Sequence, residues 1–188
     1  MTQLNVTITM HTQWHAGTGS GGGSDLDAVI KRELNLPVLP GTTLKGLARD
    51  RAAVVQAATG VRLAEKVFGT KQHPGRWHFG SARMTSVEEV KTFLSRHNRH
   101  DPATGRVPDD YFFSLEAAPP AGLTAVVEPL WRVDEDQEIA FVVACLMAID
   151  RVGSRRHRGW GRCTVDVTGS DGRGASALLA PLFEEQPA

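Results

Sequence analysis

Cysteine is scarce. The 188-residue chain has two, Cys145 and Cys163, each inside an apolar stretch and without metal-ligand spacing. Neither a zinc cluster nor a disulfide framework is expected; both thiols read as buried, in a reducing compartment. Net charge is lacking too. Lys and Arg number 21 and Asp and Glu 21, so no global field draws the protein onto a polyanion. A charged ligand would need a local cluster. Long hydrophobic runs are missing: the longest, Ile139 to Ile149, is too short for a bilayer. The opening MTQLNVTITM has no basic stretch followed by an apolar one, so no signal peptide is expected. A soluble, cytoplasmic protein with no membrane partner is the expectation.

What is present suits one domain with an insertion, since 41% hydrophobic residues can fill a core. Leu4, Val6, Ile8 and Met10 alternate with Asn5, Thr7 and Thr9, the pattern of a half-buried strand. A glycine-rich loop, Gly17 to Ser24, follows. Asp25 to Leu36 fits either a strand or a short helix, and Leu36-Pro37-Val38-Leu39-Pro40-Gly41 must be extended. Thr42 or Thr43 is expected to N-cap a helix through about Ala58, ended by Gly60. Leu63 to Phe68 extends it briefly. Trp77 to Met84 reads as one strand, and Ser86 with Glu89 reads as the capping box of a helix to about Arg96. Asn98 to Asp110 is polar and reads as an exposed loop or hairpin. Strands at Tyr111 to Ala117 and Leu123 to Val133 flank Pro119-Pro120-Ala121-Gly122, and a helix is expected from Gln137 to Arg151. Arg162 to Thr168 is the last strand, and the tail after Gly169 is expected to carry little fold.

Without its loops the order is strand, helix, strand, then strands, helix, strand. That predicts an α+β, ferredoxin-like (RRM-like) sheet with helices on one face, residues 1–168, and a tail, 169–188. The aromatic-rich signature of an ordinary RNA recognition motif is absent.

Four motifs carry chemistry. Gly153-Ser154-Arg155-Arg156-His157-Arg158-Gly159-Trp160-Gly161 sets three arginines and a histidine between glycines. Arginine forks match phosphate, and glycine permits close backbone approach. A solvated basic turn is the plain alternative, but such a turn needs neither the glycines nor Trp160. Gly17-Thr18-Gly19-Ser20-Gly21-Gly22 satisfies Gly-x-Gly-x-x-Gly, yet no long helix opens at Gly22 and no acid-ended parallel strand follows, so dinucleotide binding is set aside. Asp25 and Asp27 could hold a divalent ion or act as a base, or simply solubilise the loop. Pro40 to Arg49 opens a helix whose Lys45 and Arg49 share a face, beside Thr42 and Thr43; free amides there suit phosphate. His11 and His15 leave a strand rather than a helix, and His73, His78, His97 and His100 lack ligand spacing, so zinc is not expected.

Taken in order, these pieces resemble the RAMP superfamily of CRISPR-associated proteins, most closely the backbone subunits of type III effector complexes. The resemblance rests on His15-Ala16-Gly17-Thr18-Gly19, the acid near Asp27, Leu36 to Gly46, Phe68-Gly69, Asp101-Pro102-Ala103-Thr104-Gly105-Arg106 leading into Tyr111-Phe112-Phe113, and Arg158-Gly159-Trp160-Gly161. It implies a palm with an inserted thumb hairpin at about 97–112, binding guide RNA beside target RNA, other RAMP subunits and the large subunit of the complex. It implies RNA contacts at His15, Gly17, Gly19, Thr42, Thr43, Lys45, Arg49, Arg99, Arg106, Arg155, Arg156, His157, Arg158, Gly159, Trp160 and Gly161. Asp27 fits the position of the family's cleaving aspartate, which works with Mg²⁺. The stretch from Asp27 to Leu36 is compressed relative to the family pattern, which leaves two other roles open: a structural subunit without cleavage, or a guide-processing endoribonuclease.

Overall fold

The computed structural model describes residues 3–18, 28–85, 90–98, 104–105, 112–131 and 136–183. The first strand, β1 (Leu4–Met10), buries Leu4, Val6, Ile8 and Met10 and exposes Asn5, Thr7 and Thr9 as its alternation requires. The stretch that sequence left ambiguous is extended. It forms a tight hairpin of β2 (Arg32–Glu33) and β3 (Leu36–Leu39), with Leu34 and Asn35 at φ 49° and 66°. Two left-handed residues in a two-residue loop match the twist of the flanking strands.

Helix α1 (Gly41–Thr59) starts after Pro40, not after a threonine, and no side chain caps it. The Pro40 carbonyl accepts from the Leu44 amide at 3.0 Å, and the Gly41 amide reaches Ser81 Oγ at 3.4 Å. Proline's fixed φ already sets the entry, so a threonine cap is superfluous. After α2 (Ala64–Phe68), the expected single strand breaks at Gly80 and Ser81 into β4 (Trp77–Phe79) and β5 (Ala82–Met84). The helix expected up to Arg96 is corrected more deeply. Residues 93–98 are β6 (Phe93–Asn98), paired antiparallel with β7 (Phe112–Ala117) from Phe93 opposite Ala117 to Asn98 opposite Phe112. Pairing with a distant strand overrides the local capping signal, whose residues 86–89 lie outside the described set. The chain then runs through β8 (Gly122–Pro129), α3 (Asp136–Met147), β9 (Cys163–Gly169) and α4 (Ala175–Leu179).

The main sheet has the order β2-β3-β5-β8-β1-β9, with β4 also on β8. Counting β4 and β5 as one broken strand, the core reads β9-β1-β8-β4/β5 with antiparallel neighbours, a split β-α-β arrangement. Helices α1 and α3 pack together, and their apolar residues join the buried side of β1, β8 and β9 in one cluster. Outward residues such as Thr7, Thr164 and Asp166 stay exposed on the other face. A buried carboxylate ties α2, β4 and α3 together: Glu138 accepts from Trp77 Nε1 at 2.9 Å and pairs with Lys66 Nζ at 3.1 Å and an Arg76 nitrogen at 3.3 Å. The tail is not idle. Leu178 and Leu182 are buried in the core, and α4 packs on α3 and β9, because the end of the sheet would otherwise expose apolar surface. Both cysteines are free and buried, and burial pushes each thiol up to about 12. No described helix is long and apolar enough to cross a membrane.

Candidate nucleic-acid interface

The segment leaving β1 is the floor of the site. The Gln13 carbonyl accepts from the Gly161 amide at 2.8 Å and the His15 carbonyl from the Ser154 amide at 2.9 Å. The glycine loop is thus zipped onto residues 13–15 at both ends. A Cβ on Gly153 would lie 2.2 Å from His15 O, and one on Gly161 would lie 1.9 Å from Val152 O, at φ of 77° and 67°. A side chain at either position would strike the protein's own backbone. Gly159, also at positive φ, faces open space.

The loop's arginines divide: Arg155 and Arg158 lie near each other and near His97 on β6, while Arg156 turns elsewhere. Arg155, itself left-handed at φ 58°, sets its guanidinium 5.2 Å from the centre of the Phe113 ring on β7. The Arg156 carbonyl is held by an Arg151 nitrogen at 2.5 Å while Arg156 lines a cleft. His157 and Arg158 are exposed. Trp160, counted among RNA contacts, is only 7% exposed. It clusters with Leu115 and Ala117 of β7, and its ring centre is 5.8 Å from that of His97 on β6. The indole anchors the hairpin to the loop, with no face free for a base.

The cleft, of about 340 Å³, joins three distant segments: His15, Ala16 and Gly17 after β1; Thr43, Gly46, Leu47 and Asp50 on α1; Gly153, Ser154 and Arg156 from the loop. Helical spacing divides the residues that sequence grouped at the start of α1. Positions 43, 46, 47 and 50 form one face. Thr42 and Lys45 line a separate cleft of about 450 Å³ with Phe68, His73, His78 and Leu130. Arg49 is exposed and lines neither. Burial, chiefly, and nearby Arg155 hold the His15 imidazole below its usual pKa, against the opposing hydrogen bond to the Glu116 carbonyl.

The hairpin is docked by groups with no local sequence signal. The segment 28–31 runs between the β1 exit and β7. Ala16 O accepts from the Lys31 amide at 2.7 Å, and Ala28 O accepts from the Glu116 amide at 3.1 Å. The Glu116 carboxylate accepts from both Arg32 terminal nitrogens, from Thr92 Oγ1 at 2.6 Å and from the Ile30 amide at 3.1 Å. With Arg32 as the main cause, its pKa falls to about 2. Sequence missed this clamp because Arg32 and Glu116 are 84 residues apart; Asp50 and Ser154 were likewise not singled out. Gly19, Asp25, Asp27, Arg99 and Arg106 lie outside the described residues. Among the described residues no three His, Cys, Asp or Glu side chains gather as a metal site.

The family model of the RAMP superfamily matches residues 7–164 of the chain. This protein belongs to the RAMP superfamily. The match spans the β1 exit, the start of α1, the hairpin and the glycine loop, so every segment around the cleft falls inside the RAMP region. Among solved structures, the RAMP chain is similar to one from the cryo-EM structure of the type III-B Cmr-beta bound to cognate target RNA. The TM-score is 0.65 at 18% identity, covering 89% of this chain and 60% of that one. At that identity the likeness is one of fold, and this chain spans about 60% of its neighbour's length. No curated protein matches the chain.

Proposed function

We propose that this RAMP protein is a guide-RNA-binding backbone subunit of a type III CRISPR interference complex, and that it cleaves guide-paired target RNA through Asp27. The observation that carries the reading is the cleft itself. Three segments, His15 to Gly17 marked by the family resemblance, and Thr43 to Gly46 and Gly153 to Arg156 marked also by their phosphate-suited chemistry, meet around one opening. The fold neighbour, a type III-B complex with target RNA, supports the same assignment. Arg156 would take a phosphate, with Arg158 and His157 exposed beside it. Such contacts accept any sequence, and base pairing supplies specificity. The guide and target RNAs, sibling RAMP subunits and the large subunit are the proposed partners.

Ala28, next after Asp27, is paired with β7: its amide reaches Ser114 O at 3.4 Å and it bridges Leu115. Asp27 directly precedes Ala28 in the sequence, and would take the proton from a target 2′-hydroxyl aligned with its neighbouring phosphorus. The family resemblance marks Asp27 as the carboxylate that would hold Mg²⁺, while Glu116 is committed to Arg32. When bound, the ion would neutralise charge developing on the phosphate. An assembled complex carrying Asp27→Asn tests this: guide and target binding should persist while cutting falls about 100-fold or more. Cutting at the wild-type rate at every site would remove Asp27 from the chemistry and leave a structural subunit.

A further inference from the structure

We infer that His15 reads the sugar of the bound strand, its Nε2 accepting a hydrogen bond from an RNA 2′-hydroxyl in the cleft and so selecting ribose over deoxyribose. The inference rests on the RNA-binding reading of that cleft and adds which group of the strand is recognised there.

His15 is 3% exposed, yet it lines the cleft. Its Nδ1 lies 2.6 Å from the Glu116 carbonyl oxygen. A carbonyl only accepts, so Nδ1 must carry the proton. In the neutral ring Nε2 is then a lone pair with no proton to donate. Burial and the neighbouring Arg155 both oppose a second proton. Among the described residues Nε2 has no hydrogen-bond partner. Its open side faces Gly17, where an added Cβ would sit 2.7 Å from it.

An acceptor that opens onto a wall proposed for a polyanion needs an explanation. Phosphate oxygens also only accept, so they gain nothing from Nε2. The carboxylate of Asp50 lines the same cleft and is a second acceptor. Arg156 lines it as the cationic donor. One cation beside two acceptors fits a phosphate followed by a ribose hydroxyl better than a run of phosphates. In a nucleic-acid backbone the 2′-hydroxyl is the one O–H donor, and it separates RNA from DNA. Base N–H groups would also satisfy Nε2, but in a guide they are engaged by the target and vary with sequence.

The test uses the full chain and three labelled single strands of one sequence: RNA, DNA and 2′-fluoro RNA, which keeps an RNA-like sugar pucker without the O–H donor. Wild type should bind RNA about threefold to tenfold more tightly than 2′-fluoro RNA, the value of one hydrogen bond. In His15→Asn the amide nitrogen can still donate to the Glu116 carbonyl, but Nε2 is gone. RNA should then bind no better than 2′-fluoro RNA. If this variant proves unfolded by circular dichroism, Gly17→Ala replaces it, because its Cβ must push Nε2 aside. Equal wild-type affinity for RNA and 2′-fluoro RNA overturns the inference and leaves RNA binding intact. A preference that survives in the folded variant also overturns it. Failure of all three strands to bind at low salt overturns the RNA reading itself.

Discussion

In the sheet-and-helix palm, Leu4, Val6 and Ile8 from β1 and Phe141, Val142 and Leu146 from α3 are wholly buried in one apolar cluster. The hairpin β6–β7 is built otherwise. It leaves Phe93 and Leu94 41% and 54% exposed, and its cluster with the glycine loop has three buried members, Leu115, Ala117 and Trp160. Ala28 and Phe113 pack beside them, and the described residues add the Arg32–Glu116 clamp, the bridge from Trp14 to Ala118 and the Arg155 guanidinium over Phe113. Apolar packing spread over a whole domain unfolds cooperatively, whereas a small contact with a charged clamp can open by itself. That difference in packing predicts a fixed palm and a hairpin that can be released.

The largest effect should come from the palm. Phe141→Ala should lower unfolding free energy by about 3–5 kcal/mol, read by denaturant titration, and every spectroscopic probe should shift together. Trp160→Ala should cost the hairpin about 3 kcal/mol of docking. Amides of β7 should then exchange faster while those of α3 stay protected; equal loss of protection in α3 would break the distinction between the two regions. The clamp has a pH signature. The Glu116 carboxyl sits at about 2 against an ordinary 4.5, so its contribution is complete above 4.5 and is lost as pH falls toward 2. Hairpin exchange should rise across that window, and Glu116→Gln should flatten the dependence while costing about 1–2 kcal/mol at neutral pH. The smallest effects concern the ligand. Arg156→Ala and Lys45→Ala should each reduce the salt slope of RNA binding by about 0.7. A normal slope for Lys45→Ala would confine the strand to the cleft at His15.

Much of the palm was legible from local pattern. The alternation from Leu4 to Met10, the prolines around Val38 and the Gly60 stop each report on neighbouring residues, and the structure has β1, β3 and α1 there. The hairpin was half legible. Tyr111 to Ala117 read as a strand, but its partner read as a helix, because Ser86 and Glu89 offer a local signal whereas the pairing of Phe93 with Ala117 is non-local. The glycine loop was located correctly as a segment, but its arginines were taken to share a face. The loop instead divides them: Arg156 lines the cleft, while Arg155, left-handed itself, lies over Phe113 and near Arg158. The tail shows the same limit: Leu178 and Leu182 carry no strong periodicity, and only the open end of the core makes their burial favourable.

Chain order, element type at the strongly periodic segments, family kinship and the location of the glycine-rich and basic loops were all written in the residues, since each depends on short-range pattern. Which of those loops meet, which arginine reaches the cleft, that His15 turns an acceptor toward it and that Glu116 is spent on Arg32 depended on tertiary packing. The reason is distance along the chain: residues 15, 43, 116 and 156 have no local means of sensing one another, and only closure of the sheet brings them together.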